Sequence, residues 1–173
     1  MILTGPEIEK QVSLNQITIE PYVSSSVTTN SYDLTLSGQY IRYTSKVLDP
    51  KEEPQYEALQ IPNDGLLLQK GDFILGASNE IIGSNHYVPL IHAKSGIARM
   101  GLFVHVTADL IDIGSHGNTT FQLYATLPIK IYKDMKIAQV TFWTPQGEIK
   151  LYDGKYQGSK GPQPSKVYKD PAS

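Results

Sequence analysis

Two short stretches of this chain carry side chains that are suited to binding a polyphosphate and activating water. The first is Lys94-Ser95-Gly96-Ile97-Ala98-Arg99, which follows the apolar run Val88–His92. Its two cations and its hydroxyl are good partners for phosphate oxygens, the guanidinium by bidentate contact. Gly96 lets a ligand come close to the backbone, and one helical turn would bring Ser95 and Arg99 to the same side. This stretch therefore predicts a phosphate site.

The second stretch ends in an acid. Asp112 follows Leu110-Ile111 and precedes a corner that contains Gly114 and Gly117. An Asp before such a corner either stabilises the turn through hydrogen bonds to its backbone or orients water or Mg²⁺ beside a phosphate. The residues alone leave both roles open, and the second would make Asp112 a candidate catalytic carboxylate.

Composition excludes several classes of function. The chain has 173 residues, enough for one domain with one core. It contains no cysteine, so thiolate chemistry and the Cys-ligated zinc of nucleobase deaminases are excluded, and no zinc is expected. The net charge of −2 disfavours broad binding of nucleic acid. The sequence lacks an apolar run of about 18 residues and the features of a signal peptide. We therefore expect no membrane span and a cytoplasmic protein, in the host cytoplasm if it is viral or from a phage.

Short apolar or alternating runs bounded by Gly, Pro, Asn or Asp predict a mainly β fold. We expect a compact distorted β-barrel or jelly-roll-like sandwich with short helices. One helix is predicted from its cap, Thr4, to about Val12, with Glu7 completing a capping box. The polar segment Asp49–Glu57 is expected to be an exposed loop. The predicted strands are Ile17–Glu20, Tyr32–Leu36, Tyr40–Thr44, Leu66–Gln69, Phe73–Ser78, Ile81–Ile82, Val88–Ala93, Leu102–Ala108, Thr119–Ala125, Ile129–Tyr132 and Ile137–Trp143.

The histidines show no spacing typical of a metal site. His105 lies in one of the alternating strands, and we interpret it as a buried structural residue whose hydrogen bonds are satisfied. No serine is accompanied by a motif that would supply a general base.

The chain changes character near its carboxyl end. From Lys150 onward it is rich in Gly, Pro, Lys and Tyr and has neither strand nor helix periodicity. Such a segment is either a frayed terminus or a lid whose cations and backbone amides close over phosphates. We divide the chain into a β domain at residues 1–150 and a flexible C-terminal lid at residues 151–173.

Several motifs, taken in order, resemble the dCTP deaminase/dUTPase family over nearly the whole chain. Lys94–Arg99 is similar to the family's Arg-Ser-Ser-x-Ala-Arg phosphate motif, and Asn30–Leu36 to its x-Asp-Leu-x-Leu strand. Ala108–Gly117 resembles the family's substrate-binding hairpin. Ile137-Ala138-Gln139-Val140 resembles a dUTPase Ile-Ala-Gln-Leu strand, and Gly154–Ser165 resembles the lid of the deaminases.

The resemblance implies a dUTPase-type fold that assembles as a homotrimer with shared active sites. It also implies a pyrimidine deoxynucleoside triphosphate as substrate, with Mg²⁺ bound through the phosphates and not directly by the protein. Ser95, Arg99, Asp112 and Gln122 form the implied catalytic set. The residues implied to bind the nucleotide are Lys94, Ser95, Gly96, Arg99, Thr107, Ala108, Ile111, Asp112, Gln122, Tyr152, Lys155 and Ser159.

Three positions depart from the deaminase pattern. Gln122 stands where the deaminases carry a Glu, the general base that takes a proton from the water attacking the cytosine ring. A neutral amide cannot accept that proton, although it can still bind the base. Leu110 replaces an Arg of the monofunctional deaminases, as in the family's bifunctional enzymes, and Ser159 replaces a Gln of the lid.

Three functions remain open on the sequence alone. The first is a Mg²⁺-dependent dUTP pyrophosphatase that yields dUMP and pyrophosphate. The second is a dCTP deaminase that yields dUTP, with Gln122 as an inactivating replacement of Glu. The third is a non-catalytic regulator that binds the nucleotide without turnover.

Overall fold

Ten strands and two α-helices follow one another in residues 1–105 and 107–170, the part of the chain that the computed structural model describes. Helix α1 (Gly5–Ser13) buries Ile8 against the core. Its cap residue Thr4 makes no side-chain capping hydrogen bond. The carboxylate of Glu7 instead accepts a hydrogen bond from Gln11 Nε2 at 2.6 Å, so the predicted capping box does not form. Helix α2 is a single five-residue turn, Ser95–Arg99.

The strands match most of the predicted runs. Val88–Ala93 has the predicted bounds, and two pairs of predicted runs each form one long strand. In chain order the strands are β1 (Thr18–Glu20), β2 (Tyr32–Tyr43), β3 (Tyr56–Gln60), β4 (Leu66–Leu68), β5 (Phe73–Gly83), β6 (Val88–Ala93), β7 (Leu102–Val104), β8 (His116–Ala125), β9 (Ile129–Ile131) and β10 (Lys136–Trp143).

Eight of these strands form one antiparallel sheet that nearly closes on itself. Its central order is β6-β10-β2-β5-β8-β7, with β1 paired to β5 and β3 paired to β2, while β4 and β9 form a separate pair. Residues 109–111 join the two ends of the sheet, because Ile91 N–H donates to Asp109 O at 2.9 Å and Ile111 N–H to Pro89 O at 3.0 Å. The predicted barrel-like β fold is therefore confirmed.

Bulges explain why β2 and β5 were predicted as two strands each. The pairing register of β5 with β8 shifts between Ala77 and Ile81. The side-chain amide of Asn118 fills this irregularity by donating to the carbonyl oxygens of Ser78, Asn79 and Glu80 at 3.1–3.2 Å. A bulge breaks the alternation of side chains without ending the strand, and the sequence pattern alone resembles an interruption.

Two other predictions fail at the edges of the sheet. Strand β3 begins at Tyr56, inside the segment Asp49–Glu57 that was expected to be a loop. It is an exposed edge strand, and its side chains are mostly solvent-facing, so it lacks the apolar alternation of an inner strand. Strand β7 ends at Val104, four residues earlier than predicted. Val106 lies outside the described residues.

A buried carboxylate fixes the segment that leads into α2. Asp33 on β2, whose side chain is 7% exposed, pairs with Lys94 Nζ at 2.5 Å and with Lys136 Nζ at 3.3 Å. A buried charge is tolerated only when it is paired, and here two cations neutralise it. Lys94 is therefore held against the β domain. No helix among the described residues is long and apolar enough to span a membrane.

Candidate active site

A cavity of about 470 Å³ lies between the sheet, the segment after β7 and the carboxyl-terminal tail. The sheet contributes residues of β2, β5 and β8, and the segment after β7 contributes Ala108, Ile111 and Asp112. The tail covers the third side with Tyr152, Tyr156 and residues 159 and 163–165. Its mixed apolar and polar walls are typical of a small-molecule site.

Strand β8 forms the polar wall of the cavity. Along β8 the buried residues Thr119, Phe121, Leu123 and Ala125 alternate with less buried ones. Side chains of a strand point alternately to opposite faces, so Gln122 lies on the face away from the core. Cross-strand pairing places Leu75 of β5 directly opposite Gln122. The amide therefore stands beside an apolar surface that a flat ring can contact.

His105 is not the satisfied structural residue that the sequence predicted. Its Nε2 hydrogen-bonds to the carbonyl oxygen of Ala108, and because a carbonyl only accepts, Nε2 is the donor. Its Nδ1 is buried and has no hydrogen-bond partner within residues 1–105 and 107–170. His105 has a positive φ of 64°, which turns the chain out of β7 and into the cavity wall. Burial lowers the pKa of His105, so the ring is neutral near pH 7.

Gln122 carries a second unpartnered atom in the same wall. Its Oε1 is buried, and none of the described residues donates a hydrogen bond to it. The pairing of β7 with β8 ends at Val104 and Leu123, and His105 and Gln122 are the next residues beyond this pair, along the same wall of the cavity. Thr119 Oγ1 is also without a partner among the described residues, but it belongs to the core face of β8. Buried acceptors without a donor are costly, and a donor from a ligand would reach Gln122 Oε1 once this side chain, which lines the cavity, turns toward it.

Asp112 lies at the mouth of this cavity, in a turn of defined shape. Its backbone carbonyl accepts a hydrogen bond from Ser115 N–H at 3.1 Å, and Gly114 N–H donates to Ser84 O at 2.8 Å. The residue is exposed. It also lines a second cavity of about 560 Å³, as do Leu110 and Ile111. An exposed carboxylate at the rim is free to contact water and a cation together.

The tail packs along β8 through backbone hydrogen bonds. Tyr152 N–H donates to Ile113 O at 2.8 Å, and Gly158 N–H donates to His116 O at 2.9 Å. Further along, Asn118 N–H donates to Ser159 O at 2.9 Å. The last residues of the lid, 171–173, lie outside the described residues. The division into a β domain and a flexible lid stays a prediction.

The polar side chains of the sheet face hold the end of the tail. Gly161 N–H donates to Asn118 Oδ1 at 3.0 Å, and Gln163 N–H donates to Thr120 Oγ1 at 3.0 Å. Ser165 N–H donates to the Tyr43 hydroxyl at 2.9 Å. Because these acceptors are on the same face as Gln122, the tail roofs the cavity at its polar side.

Two glycines make this close approach of the tail possible. A Cβ on Gly117 would lie 2.8 Å from Ser159 N, and a Cβ on Gly114 would lie 2.8 Å from Leu151 Cβ. Gly114 also has a φ of 90°, which other residues rarely adopt. Any larger side chain at either position would displace the tail.

The phosphate stretch predicted from the sequence is not part of this cavity. Neither cavity is lined by Lys94, Ser95, Gly96 or Arg99. Ser95, Gly96 and Arg99 are exposed on α2, and a Cβ on Gly96 would have no neighbour within 4 Å. Lys94 is bound to Asp33. Within one chain, the predicted phosphate ligands therefore do not line the cavities that Asp112 lines.

The remaining predicted residues divide in the same way. Tyr152 and Ser159 line the cavity with Gln122, whereas Thr107 is exposed and outside its walls. Lys155 pairs with Asp170 and does not reach the cavity. Within the described residues no group of three or more His, Asp or Glu side chains is arranged to bind a metal ion.

Sequence reasoning missed several parts of the site. Tyr43 and Phe73, on β2 and β5, come from runs that predict strands but no function. Asn118 and Thr120 share the face of Gln122, and the alternation of β8 could have placed them there. The role of His105 depends on a positive φ that no local pattern indicated.

Comparison with known proteins identifies the family. The model of the dCTP deaminase-like family matches residues 2–145. A protein of Clostridium beijerinckii named "dCTP deaminase, dUMP-forming" is 42% identical over 171 residues, covering 98% of both chains. A protein of the same name from Clostridium botulinum is 43% identical over the same length and coverage. The chain belongs to the dCTP deaminase-like family and is an enzyme of the dCTP deaminase/dUTPase group, as its motifs predicted.

Solved structures support the fold. A dCTP deaminase of Agrobacterium tumefaciens superposes with a TM-score of 0.65 at 18% identity, covering 82% of this chain and 47% of that one. A dUTPase of Staphylococcus bacteriophage 80alpha superposes with a TM-score of 0.50 at 13% identity, covering 82% and 98%. At these identities the likeness concerns the fold alone.

The buried His105 predicts a loss of stability in acid. Its pKa in the folded state is below the ordinary value of 6.5, so the unfolded state binds the proton more tightly. The contribution is complete above about pH 6.5 and is lost as the pH falls, with a slope of at most about 1.4 kcal/mol per pH unit. We expect His105→Asn to flatten the fall of the unfolding free energy between about pH 7 and pH 5, measured by urea denaturation. The exposed His86→Asn variant is the control, and an unchanged slope in His105→Asn would refute the assignment.

The close approach at Gly117 predicts a variant with a displaced tail. Gly117→Ala places a methyl group against Ser159, so limited trypsin digestion after Lys155 and Lys160 should accelerate by about tenfold or more. In the control Gly38→Ala, the new Cβ has its nearest neighbour at an ordinary 3.5 Å. Equal digestion rates in both variants would show that the tail does not depend on contact at Gly117.

Proposed function

We propose that the protein is a Mg²⁺-dependent dUTP pyrophosphatase that releases dUMP and pyrophosphate. The observation that carries the proposal is the neutral Gln122 in the cavity wall. An amide binds a pyrimidine ring but does not take a proton from water. Loss of a general base typically costs about 10²–10⁴-fold in rate. Chemistry at the base is thereby disfavoured, and chemistry at the phosphates is left.

The names of the relatives support the same activity. They are called dUMP-forming, and formation of a monophosphate from dCTP requires removal of two phosphates as well as the amino group. Only removal of the amino group needs a proton acceptor at the ring, which the neutral amide of Gln122 does not provide. A chain of 42–43% identity that covers 98% of its relatives can retain the first step alone.

In the proposed complex the pyrimidine lies against Leu75 and Gln122, and the triphosphate extends toward Asp112. Backbone groups of Ala108 and Ile111 border the nucleotide on the hairpin side. Tyr152 and Ser159 cover it from the tail and exclude water. Lys155 joins the phosphates after it leaves Asp170.

Asp112 orients the attacking water and takes up its proton as the oxygen approaches the α-phosphorus. The exposed carboxylate at the cavity rim fits a water-bridged Mg²⁺, because this ion prefers oxygen ligands and keeps most of its waters. When bound with the triphosphate, Mg²⁺ neutralises charge that develops on the phosphate oxygens.

The phosphate ligands on α2 require a second copy of the chain. Ser95, Gly96 and Arg99 are exposed and outside both cavities, as expected if they serve the cavity of a neighbouring subunit. We therefore include the homotrimer with shared active sites in the proposal. Lys94, bound to Asp33, would position α2 and not contact phosphate directly. The cytoplasmic location expected from the sequence stays a prediction.

A dCTP deaminase is the second candidate, and the names of the relatives favour it. It requires a proton acceptor near the ring. Nδ1 of His105 in the same cavity wall is a candidate acceptor, but its lowered pKa makes it a weak base. Release of ammonia from dCTP would establish this alternative.

The proposed function predicts the products of a direct assay. With dUTP and Mg²⁺ the protein should form dUMP and pyrophosphate, measured by ion-exchange chromatography. Asp112→Asn keeps the shape of the side chain but removes the proton acceptor, so we expect kcat to fall by about 10²-fold or more. Asp109→Asn, at an exposed position three residues earlier, is the control and should retain activity. Absence of dUMP with the unaltered protein would refute the proposal.

The shared site predicts complementation between two inactive variants. Asp112→Asn and Arg99→Ala each damage every site of a uniform trimer. When the two chains are coexpressed, about one quarter of the sites receive an intact Asp112 and an intact Arg99 from different subunits. Activity should therefore recover to about one quarter of the unaltered enzyme. Coexpression of Asp112→Asn with Gln122→Leu is the control, because both residues belong to one subunit's cavity. No recovery in a verified mixed trimer would contradict the shared site.

A further inference from the structure

We propose that the same site also hydrolyses dCTP directly to dCMP and pyrophosphate, leaving the amino group of the cytosine in place. This inference rests on the proposed pyrophosphatase function and extends it to a second substrate. The cavity would then bind a pyrimidine with an amino group at position 4, as in cytosine, as well as one with an oxygen at that position, as in uracil.

The hydrogen-bonding groups of the polar wall do not select between these two rings. Gln122 Oε1 is buried without a partner in the described part of the chain. When the Gln122 side chain turns toward the cavity that it lines, this atom can accept from the amino group of cytosine or from N3–H of uracil. The Nε2 group of the same amide donates. It can therefore bind the ring nitrogen N3 of cytosine or, after the amide has rotated, O4 of uracil. A carboxylate at this position could only accept.

His105 contributes a second acceptor. Because Nε2–H donates to the Ala108 carbonyl, Nδ1 of the neutral ring presents a lone pair. This atom is buried and has no partner of regular hydrogen-bond geometry in residues 1–105 and 107–170, although the backbone of Thr120 lies close enough to oppose the lowering of the ring's pKa by burial. Both bases carry a donor at their Watson–Crick edge, the amino group in cytosine and N3–H in uracil. The wall therefore offers each base at least one hydrogen bond and holds no fixed charge that repels either.

The hydrolytic group acts far from the feature that distinguishes the two substrates. Asp112 is at the cavity rim, at the end of the hairpin, whereas Gln122 is in the wall formed by β8. The water oxygen forms a bond to the α-phosphorus, and the bond from that phosphorus to the bridging oxygen breaks. Pyrophosphate leaves with the electron pair, and Asp112 receives the water proton. None of these atoms belongs to the base, so deamination need not precede hydrolysis.

The test is a product analysis with dCTP and dUTP in separate incubations, combined with an ammonia assay. We expect dCMP from dCTP without ammonia, at a kcat/KM within about tenfold of that for dUTP, since the rings differ by about one hydrogen bond. Turnover of dUTP alone would overturn this inference and leave the proposed function intact. Turnover of neither would overturn both. Formation of dUMP and ammonia from dCTP would also overturn the inference.

Two further measurements place both reactions in one site. Asp112→Asn should abolish dCMP and dUMP formation together, which excludes a contaminating phosphatase. Unlabelled dUTP should inhibit dCMP formation competitively, with an inhibition constant equal to its own KM.

The Gln122→Glu variant tests whether the neutral amide of Gln122 is the reason that dCTP keeps its amino group. The restored carboxylate can take a proton from water, so this variant should convert dCTP into deaminated products and release ammonia. A Gln122→Glu protein that still forms only dCMP would show that Gln122 does not protect the amino group. Thermal denaturation of the variant checks that it is folded.

Discussion

Strand β8 separates the core from the cavity, and β5, the segment after β7 and the tail are all positioned against it. One face of the strand buries Phe121 and Leu123, which ties its register to the packing of the barrel. A slip of one residue would turn every side chain to the wrong face. Core packing therefore keeps Gln122 aimed into the cavity, although the residue itself contributes nothing to the core.

The polar face of β8 also binds the tail. Asn118 joins the β5 bulge through its amide group and holds Gly161 through its carbonyl oxygen. Thr120 receives the next contact from the tail. The tail thus binds the same strand that carries Gln122, the residue proposed to bind the base. A change in the bulge of β5 would therefore displace the tail that covers the cavity as well as the strands of the sheet.

Sequence patterns predicted the class of fold and most strands, because alternation and turn residues are local. They also singled out Asp112 and Gln122, which line one cavity in the structure, and the roles predicted for these two residues stay predictions. They could not show that the residues of α2 lie outside both cavities that Asp112 lines, since that depends on how β6 pairs with β10 and on the Asp33–Lys94 ion pair. The orphaned nitrogen of His105 was equally hidden. It results from the backbone leaving β7 with a positive φ, which is a tertiary property.

The difference between Glu and Gln at one position has unequal effects on the two reactions that this fold accommodates. Deamination needs a group at the ring that changes its protonation during the reaction, whereas binding needs only a group that donates or accepts. Gln122 meets the second requirement and fails the first. In the proposed mechanism hydrolysis depends on Asp112, which belongs to a different element and whose turn is shaped by backbone hydrogen bonds of its own. Because Gln122 and Asp112 lie on separate elements, a change from Glu to Gln on β8 leaves the turn of Asp112 in place, which is why the proposal keeps chemistry at the phosphates while it gives up chemistry at the base.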